Sequence, residues 1–329
     1  MPLVINMKKR IYEFDYMRGF AISLVVWMHV IQHLFSPINR NILFDFVYSF
    51  HMPLFIIISG FLFYNKLGCV FNNIWGGVKR FLLPNLFWGS ILIIIHGSLP
   101  KIEDVVRLPF TCWFLSSLFF CYVVYSIALY SKNHFAIKIV CLSVLINLLP
   151  GMEYNKFMIP FFGLGLIINK FKLLTKEIND KYIFIAWAMI IFTEVFLWSP
   201  SYTIYNTPSP NLKTCFIPEV WIAYFARLIV GTLITITIFF TIKKFSQFLS
   251  PQSKSTLSVL STNSLGIYVI SDVIICHLFK EVTFVVSHQL LIDLMSLILT
   301  MICIGFINKA MAIIRRNKYL KLIALGETQ

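Results

Sequence analysis

The residue pair most able to carry chemistry in this chain is a cation and a titratable base within one apolar stretch. Arg18 and His29 both lie in DYMRGFAISLVVWMH, eleven positions apart. Eleven steps of an α-helix return to within about 20° of the starting direction, so the side chains share one face, ~16 Å apart along the axis. Ionisable residues inside a membrane helix are costly and usually functional. The pair therefore predicts a polar path through a membrane.

A second histidine, His51, occurs in the next apolar stretch, FHMPLFIIISGF. If the first helix crosses the membrane and the second returns, His29 and His51 lie about 9 and 12 Å from the same membrane face. This nearly equal depth favours a joint role in proton transfer, for which imidazole is suited near neutral pH. A single membrane histidine can equally serve an interhelical hydrogen bond, so both interpretations stay open.

The second stretch also contains a proline and a pair of small residues. Pro53 frees the backbone carbonyl of Ser49, and such a break persists in a membrane only where another group satisfies the backbone. Ser59 and Gly60 follow further along the same helix. A small pair permits either close packing of helices or the approach of a ligand.

Basic residues begin the third apolar stretch, where Lys79 and Arg80 precede Pro84. Such residues commonly anchor a helix at the cytoplasmic interface of the membrane. They are equally suited to phosphate capture, since guanidinium and ammonium groups bind phosphate oxygens.

Four further polar residues interrupt later apolar stretches. Arg227 requires a partner or water at its expected depth, and Glu194 is one candidate. Asp272 and His277 lie in one apolar stretch, which is therefore a second candidate to line the polar path.

The composition identifies a polytopic membrane protein. Of 329 residues, 58% are hydrophobic and 13% are charged, with a mean hydropathy of +0.81; soluble domains carry about 25% charged residues. The net charge of +14 comes from short dispersed basic clusters, which argues against nucleic-acid binding. The seven cysteines form no CxxC pattern, so we expect neither a metal site nor disulfides. The apolar N-terminal stretch lacks a cleavage pattern and is expected to be retained.

The expected fold is all-α, with about ten transmembrane helices in a single integral-membrane domain over residues 1–329. Apolar stretches long enough to cross a bilayer occur at approximately 14–35, 43–64, 76–97, 111–130, 134–150, 156–170, 181–199, 220–241, 257–279 and 287–309. With this count, 20 of the 28 Lys and Arg residues fall on the side of the two termini. Basic residues favour cytoplasmic loops, so both termini are predicted to be cytoplasmic.

Several segments, taken in order, resemble the acyltransferase 3 family of membrane proteins. They are DYMRGFAISLVVWMH, FHMPLFIIISGFLF, KRFLLP, WFLSSLFF, FFGLGLIINK and STNSLGIYVI. The resemblance covers essentially the whole chain, and the first two segments together are specific. The family includes bacterial membrane O-acetyltransferases that modify surface glycans, and its hallmark of arginine, ten residues, then histidine falls on Arg18 and His29.

The resemblance implies a reaction. An acetyl group would pass from cytoplasmic acetyl-CoA to a sugar hydroxyl of a polysaccharide, O-antigen or lipid-linked glycan, with no permanently bound cofactor. His29 would be the general base, Arg18 would serve the donor side, and Asp15 would orient Arg18. His51 or a backbone amide near Pro53 would stabilise the oxyanion.

The resemblance also implies a donor site and a location. The SGF and basic motifs of the family match five expected donor-binding residues, which are Ser59, Gly60, Phe61, Lys79 and Arg80. The expected location is the bacterial inner membrane, in contact with membrane lipids. The alternative from another class is a transporter or flippase for a lipid-linked sugar or small solute, in which the same polar path carries substrate and His29 and Asp272 relay protons.

Overall fold

The structure is a computed structural model that describes residues 11–36, 42–95, 108–131, 133–149, 151–174, 177–196, 198–203, 206–207, 209–279, 281–286 and 288–327. Within these ranges the chain is almost entirely helical, as predicted. The α-helices in chain order are α1 Tyr12–Leu34, α2 Ile42–Phe63, α3 Val70–Gly77, α4 Leu83–Ile95, α5 Trp113–Ala128, α6 Phe135–Leu148, α7 Glu153–Lys170, α8 Asp180–Phe196, α9 Pro218–Phe245, α10 Pro251–Ser271, α11 Gln289–Ile314 and α12 Lys318–Leu325.

Short elements of other types connect these helices. Two-residue strands β1 Phe35–Ser36 and β2 Phe284–Val285 pair in parallel and join the end of α1 to the segment before α11. π-Helical turns occur at Val78–Leu82 and Asp272–Leu278. The remaining short elements are the 3₁₀ turns Tyr64–Lys66, Leu108–Phe110, Pro200–Tyr202 and Ser246–Phe248.

Among the described residues, six helical stretches are long and apolar enough to cross a membrane. They are Tyr12–Leu34, Ile42–Lys66, Val70–Ile95, Pro218–Phe248, Pro251–Leu278 and Gln289–Ile314. The other predicted segments also contain helices, α5 to α8, which are shorter or less apolar. The multi-pass helical architecture is therefore confirmed, while the count of about ten crossings and the cytoplasmic placement of both termini stay predictions.

Helix α1 lies at the centre of the bundle and packs closely on α10. At Gly19 a Cβ atom would stand 2.2 Å from the backbone oxygen of Leu257, so only glycine fits. Helices α2 and α7 approach each other in the same way: a Cβ at Gly60 would lie 2.1 Å from the oxygen of Phe162, and a Cβ at Gly165 2.1 Å from the oxygen of Ile57. Small residues permit such close approach, and membrane helices associate through it.

The two π-helical turns fall on residues of functional interest. The first contains Lys79 and Arg80, and the second contains Asp272, Cys276 and His277. A π-turn inserts one extra residue into a helix and redirects the side chains that follow, and such turns are frequent at functional sites.

Candidate active site

A cavity with an empty volume of about 780 Å³ opens at the end of the bundle where α1 begins. We call it the inner cavity. Its polar lining residues are Arg18, Ser59, Lys66, Arg80, Tyr122, Ser264 and Tyr268. Apolar side chains, including Val25 and Met52, line its deeper part. Val25 lies two turns beyond Arg18 on α1, which is ~10 Å deeper into the bundle.

Two serines of α10 fix the polar start of α1. The Arg18 guanidinium donates a hydrogen bond to Ser264 Oγ at 3.1 Å, and Ser261 Oγ donates to Asp15 Oδ1 at 3.2 Å. Both pairs are spaced three residues apart on their own helices, so they form two adjacent polar contacts across one interface. The structure thus holds Arg18 and Asp15 through α10, an arrangement that the sequence analysis did not foresee.

His29 lies beyond the wall of the inner cavity, next to a carboxylate. Ligating atoms of His29, Asp272 and Cys276 all lie within 4.8 Å of one another. The His29 ring centroid is 6.4 Å from that of Tyr268, which lines the inner cavity. Nδ1 of His29 is buried and finds no hydrogen-bond partner in the part of the chain that the structure describes.

Three donor atoms so close together can in principle hold a metal ion, or the carboxylate can orient the imidazole. The two arrangements are mutually exclusive at a base nitrogen, because a ligated nitrogen cannot accept a proton. An apolar surrounding with one adjacent carboxylate suits a general base held in a fixed orientation.

His51 lines a second, smaller cavity on the far side of Met52. This outer cavity has an empty volume of about 410 Å³, and Met52 lines both cavities. The imidazoles of His51 and His29 are close enough to interact electrostatically. His51 Nδ1 lies 2.8 Å from the carbonyl oxygen of Val47 and must donate to it. Nε2 of the neutral ring is then an acceptor, which disfavours the expected role of neutral His51 as an oxyanion donor.

The outer cavity has an aromatic and polar lining. Its walls include the aromatic residues Tyr48, Trp113, Phe157 and Trp198 and the polar residues Ser49, His51, Thr203 and Arg227. Trp198 Nε1 is buried without a hydrogen-bond partner among the described residues. An unsatisfied buried donor that borders a cavity is a natural contact for a ligand oxygen.

Glu194 and Arg227 have different partners in the structure from the pairing that the sequence left open. Glu194 Oε1 accepts a hydrogen bond from Ser49 Oγ at 2.7 Å. Arg227 donates from Nε to the carbonyl of Ala223 at 3.1 Å and from Nη1 to that of Thr207 at 2.9 Å. Its guanidinium also lies 5.0 Å from the ring centroid of Phe157. Arg227 is therefore anchored by backbone carbonyls beside the outer cavity.

The expected donor-binding residues separate into two groups. Ser59 and Arg80 line the inner cavity. Gly60 and Phe61 instead face neighbouring helices: Gly60 packs against α7, and the Phe61 ring lies 4.4 Å from that of Phe14. Lys79 lies over the Trp75 ring at 5.2 Å and is absent from the described lining of both cavities. The structure therefore supports the packing interpretation for Gly60.

The sequence profile of the acyltransferase domain family matches residues 11–309. The chain belongs to the acyltransferase 3 family. Two similar curated proteins are both called nodulation protein NolL: one from Mesorhizobium japonicum is 24% identical over 181 residues, and one from Sinorhizobium fredii is 30% identical over 181 residues. Each match covers 47% of this chain and 47% of the relative, so the chain spans about half the length of these relatives. No solved structure matches the chain.

In this acyltransferase-family chain, the candidate site includes residues to which the sequence analysis had assigned no role. Ser261, Ser264 and Tyr268 lie in the STNSLGIYVI segment, which contributed to the resemblance without any residue being singled out. Their spacing of three and four residues places them on one helix face. That signal was visible in the sequence, but not the identity of the facing helix.

Proposed function

We propose that this protein is an acetyl-CoA-dependent O-acetyltransferase of the bacterial inner membrane. It transfers an acetyl group to a hydroxyl of a surface polysaccharide or lipid-linked glycan. The observation that carries the proposal is the position of His29, which has a carboxylate beside it and lies next to Tyr268 in the wall of the cation-lined inner cavity. The aromatic, hydrogen-bonding outer cavity adjoins the inner one at Met52. Family membership supports acyl transfer as the reaction class.

The inner cavity suits the donor. Lys66 and Arg80 line its open end, and none of the ion pairs among the described residues involves either cation. Phosphate groups of CoA would bind at this end because a polyanion cannot enter hydrocarbon. The uncharged pantetheine arm would extend along the apolar lining past Arg18. Both termini are then cytoplasmic, since the donor is a cytoplasmic metabolite.

The chemistry requires a base. A thioester is already activated, whereas a sugar hydroxyl has a pKa far above 7 and needs its proton removed in the transition state. In the proposed step the hydroxyl oxygen bonds to the acyl carbon, the carbon–sulfur bond breaks, and His29 accepts the hydroxyl proton. The proton then passes to the leaving thiolate, which restores neutral His29 and releases CoA. Asp272 positions the imidazole and stabilises its protonated form.

The lining of the outer cavity has the chemistry of a sugar-binding surface. Aromatic rings such as Trp113 and Trp198 can contact the apolar faces of sugar rings, and indole N–H groups need hydrogen-bond partners when buried. Trp198 Nε1 has no hydrogen-bond partner among the described residues, so it can donate to a sugar oxygen. Nε2 of neutral His51 can accept a hydrogen bond from an acceptor hydroxyl.

The test is mass spectrometry of surface glycans from cells that lack the native gene and express either wild type, His29→Ala or His33→Ala. His33 is the matched control, one turn further along α1, with its ring centroid 6.3 Å from that of His29. We expect acetyl esters with wild type and His33→Ala, and a loss of about 10²- to 10⁴-fold in initial rate for His29→Ala.

Two outcomes would overturn the proposal. Near-normal transfer by His29→Ala would remove the general-base role. If glycans carry no acetyl ester in any strain while membrane vesicles take up a solute in a protein-dependent way, the protein is a transporter.

A further inference from the structure

The C-terminal segment beyond the family match folds back against the bundle. The match ends at residue 309, whereas the described chain continues through α12 to Glu327. Trp88 Nε1 donates a hydrogen bond to the Ala324 carbonyl at 2.8 Å, and Ala324 and Leu325 are 1% and 2% exposed. Gly326 has φ +64°, and a Cβ atom there would lie 2.4 Å from the Arg80 carbonyl oxygen. The segment is therefore seated directly on the turn that carries Arg80.

A charged contact closes the end of this segment. Arg315 Nε donates to the two Glu327 carboxylate oxygens at 3.0 and 3.1 Å, and Arg315 Nη2 donates to Asn263 Oδ1 at 2.7 Å. Asn263 belongs to α10, the helix that also holds Arg18 through Ser264. The contact thus fixes the segment to a wall of the inner cavity.

The segment borders an open polar cavity that is continuous with the inner cavity. The empty volume of this C-terminal cavity is about 1250 Å³, and it shares Lys66, Arg80, Tyr122 and Leu265 with the inner cavity. The C-terminal segment contributes Lys321, Leu325, Gly326 and Glu327 to its lining. Its three cations face one acidic residue, Glu327. The Glu327 carboxylate accepts hydrogen bonds from Arg315 and also lies 3.9 Å from Lys321 Nζ, a separation typical of a weak ion pair that leaves the ammonium able to contact a phosphate.

We propose that this cavity binds the phosphate-bearing nucleotide end of the acyl donor and that Lys321 contacts a phosphate directly. The proposal rests on the proposed function, because it assigns a site to the donor of that reaction. Three cations around one chamber match the several negative charges of a nucleotide phosphate group. The side chains of Asn72 and Thr262 supply further hydrogen-bonding groups. The Arg315–Glu327 contact keeps the segment, and with it Lys321, in place.

The test compares two thioester donors in purified full-length protein. Acetyl-CoA carries the nucleotide, and acetyl-pantetheine presents the same thioester without it. We expect Lys321→Gln to raise KM for acetyl-CoA about three- to tenfold and to leave KM for acetyl-pantetheine and kcat for both donors unchanged. Lys321→Arg retains the charge and should keep most of the affinity for acetyl-CoA.

Lys318→Gln is the matched control, because Lys318 is exposed on the same helix and does not line this cavity. It should behave as wild type with both donors. Equal KM values for acetyl-CoA in Lys321→Gln and Lys318→Gln would overturn this inference alone, with the proposed reaction intact. Failure of wild type to use either donor would overturn the inference and the proposed function together.

Binding of adenosine 3′,5′-bisphosphate, the nucleotide part of CoA, provides a second readout that does not require turnover. Wild type and Lys318→Gln should bind it, and Lys321→Gln should bind it about three- to tenfold more weakly. Equal affinity in the three proteins would contradict the assignment of Lys321.

Discussion

The inner and outer cavities meet at Met52 but have opposite character. The inner cavity is lined by Lys66 and Arg80, for which no carboxylate partner occurs among the described residues. The outer cavity also has a cation, Arg227, but two backbone carbonyls accept hydrogen bonds from it. Available positive charge attracts a polyanion, whereas an anchored guanidinium among aromatic rings helps to shape a pocket for a neutral polar ligand. The character of a site therefore depends less on the number of its charged groups than on the partners that those groups already have.

The largest effect is expected at Asp272, which stands beside His29. Asp272→Asn should lower kcat about 10- to 100-fold, because the amide cannot stabilise protonated His29, and should leave both KM values near wild type. Asp272→Glu restores the charge and should recover part of the rate. The measurement is steady-state kinetics with donor and acceptor varied separately.

The matched control for this variant is Asp293→Asn, on α11, where the carboxylate accepts a hydrogen bond from Gln289. It should retain normal kcat. If Asp272→Asn behaves like this control, Asp272 has no positioning role. If purified wild-type protein contained one metal ion per chain at this site, His29 would be a metal ligand and not the general base.

Variants in the two cavities should have opposite effects on the KM values for donor and acceptor. Arg18→Gln should raise KM for acetyl-CoA about tenfold, because it removes a charge held by Ser264 in the inner cavity. It should leave KM for the acceptor unchanged. Trp198→Ala should do the reverse, raising KM for the acceptor about tenfold through lost contact area and a lost indole donor.

Each variant serves as the control for the other in the same kinetic assay. A rise in both KM values for both variants would show that the cavities do not act as separate donor and acceptor sites.

The smallest expected effect concerns the glycine of the SGF motif. Gly60→Ala should destabilise the protein by about 1–3 kcal/mol, because its Cβ would lie 2.1 Å from the Phe162 carbonyl oxygen. Its folded fraction should keep a normal KM for acetyl-CoA. Thermal unfolding in detergent, followed by kinetics on the folded protein, provides both measurements.

Gly305→Ala is the control glycine, since a Cβ there meets nothing within 4 Å. It should be neutral or stabilising by up to about 1 kcal/mol, as expected for alanine in a helix. If Gly60→Ala raised KM for acetyl-CoA without a loss of stability, Gly60 would contribute to donor binding and not only to helix packing.

Much of the fold was predictable because hydropathy alone sets the helices of a membrane protein. A bilayer demands long apolar stretches with all backbone groups bonded internally, so each predicted stretch contains a helix. Which stretches cross the membrane was less accessible, because α5 to α8 are short or carry polar residues. The site was only partly predictable: Arg18, His29 and His51 stood out as polar residues in apolar surroundings, whereas Lys321 resembled any basic residue near a terminus.

Three properties follow from the sequence alone: the type of protein, the helix face shared by Arg18 and His29, and the family that the motifs resemble. These properties depend on composition and helical period, which are local. Three contacts depend on the tertiary structure: Asp272 stands beside His29, Ser49 rather than Arg227 contacts Glu194, and the C-terminal segment lines a cavity together with Lys66 and Arg80. These facts depend on which helices become neighbours, and close approach at glycines such as Gly19 and Gly60 sets those neighbours.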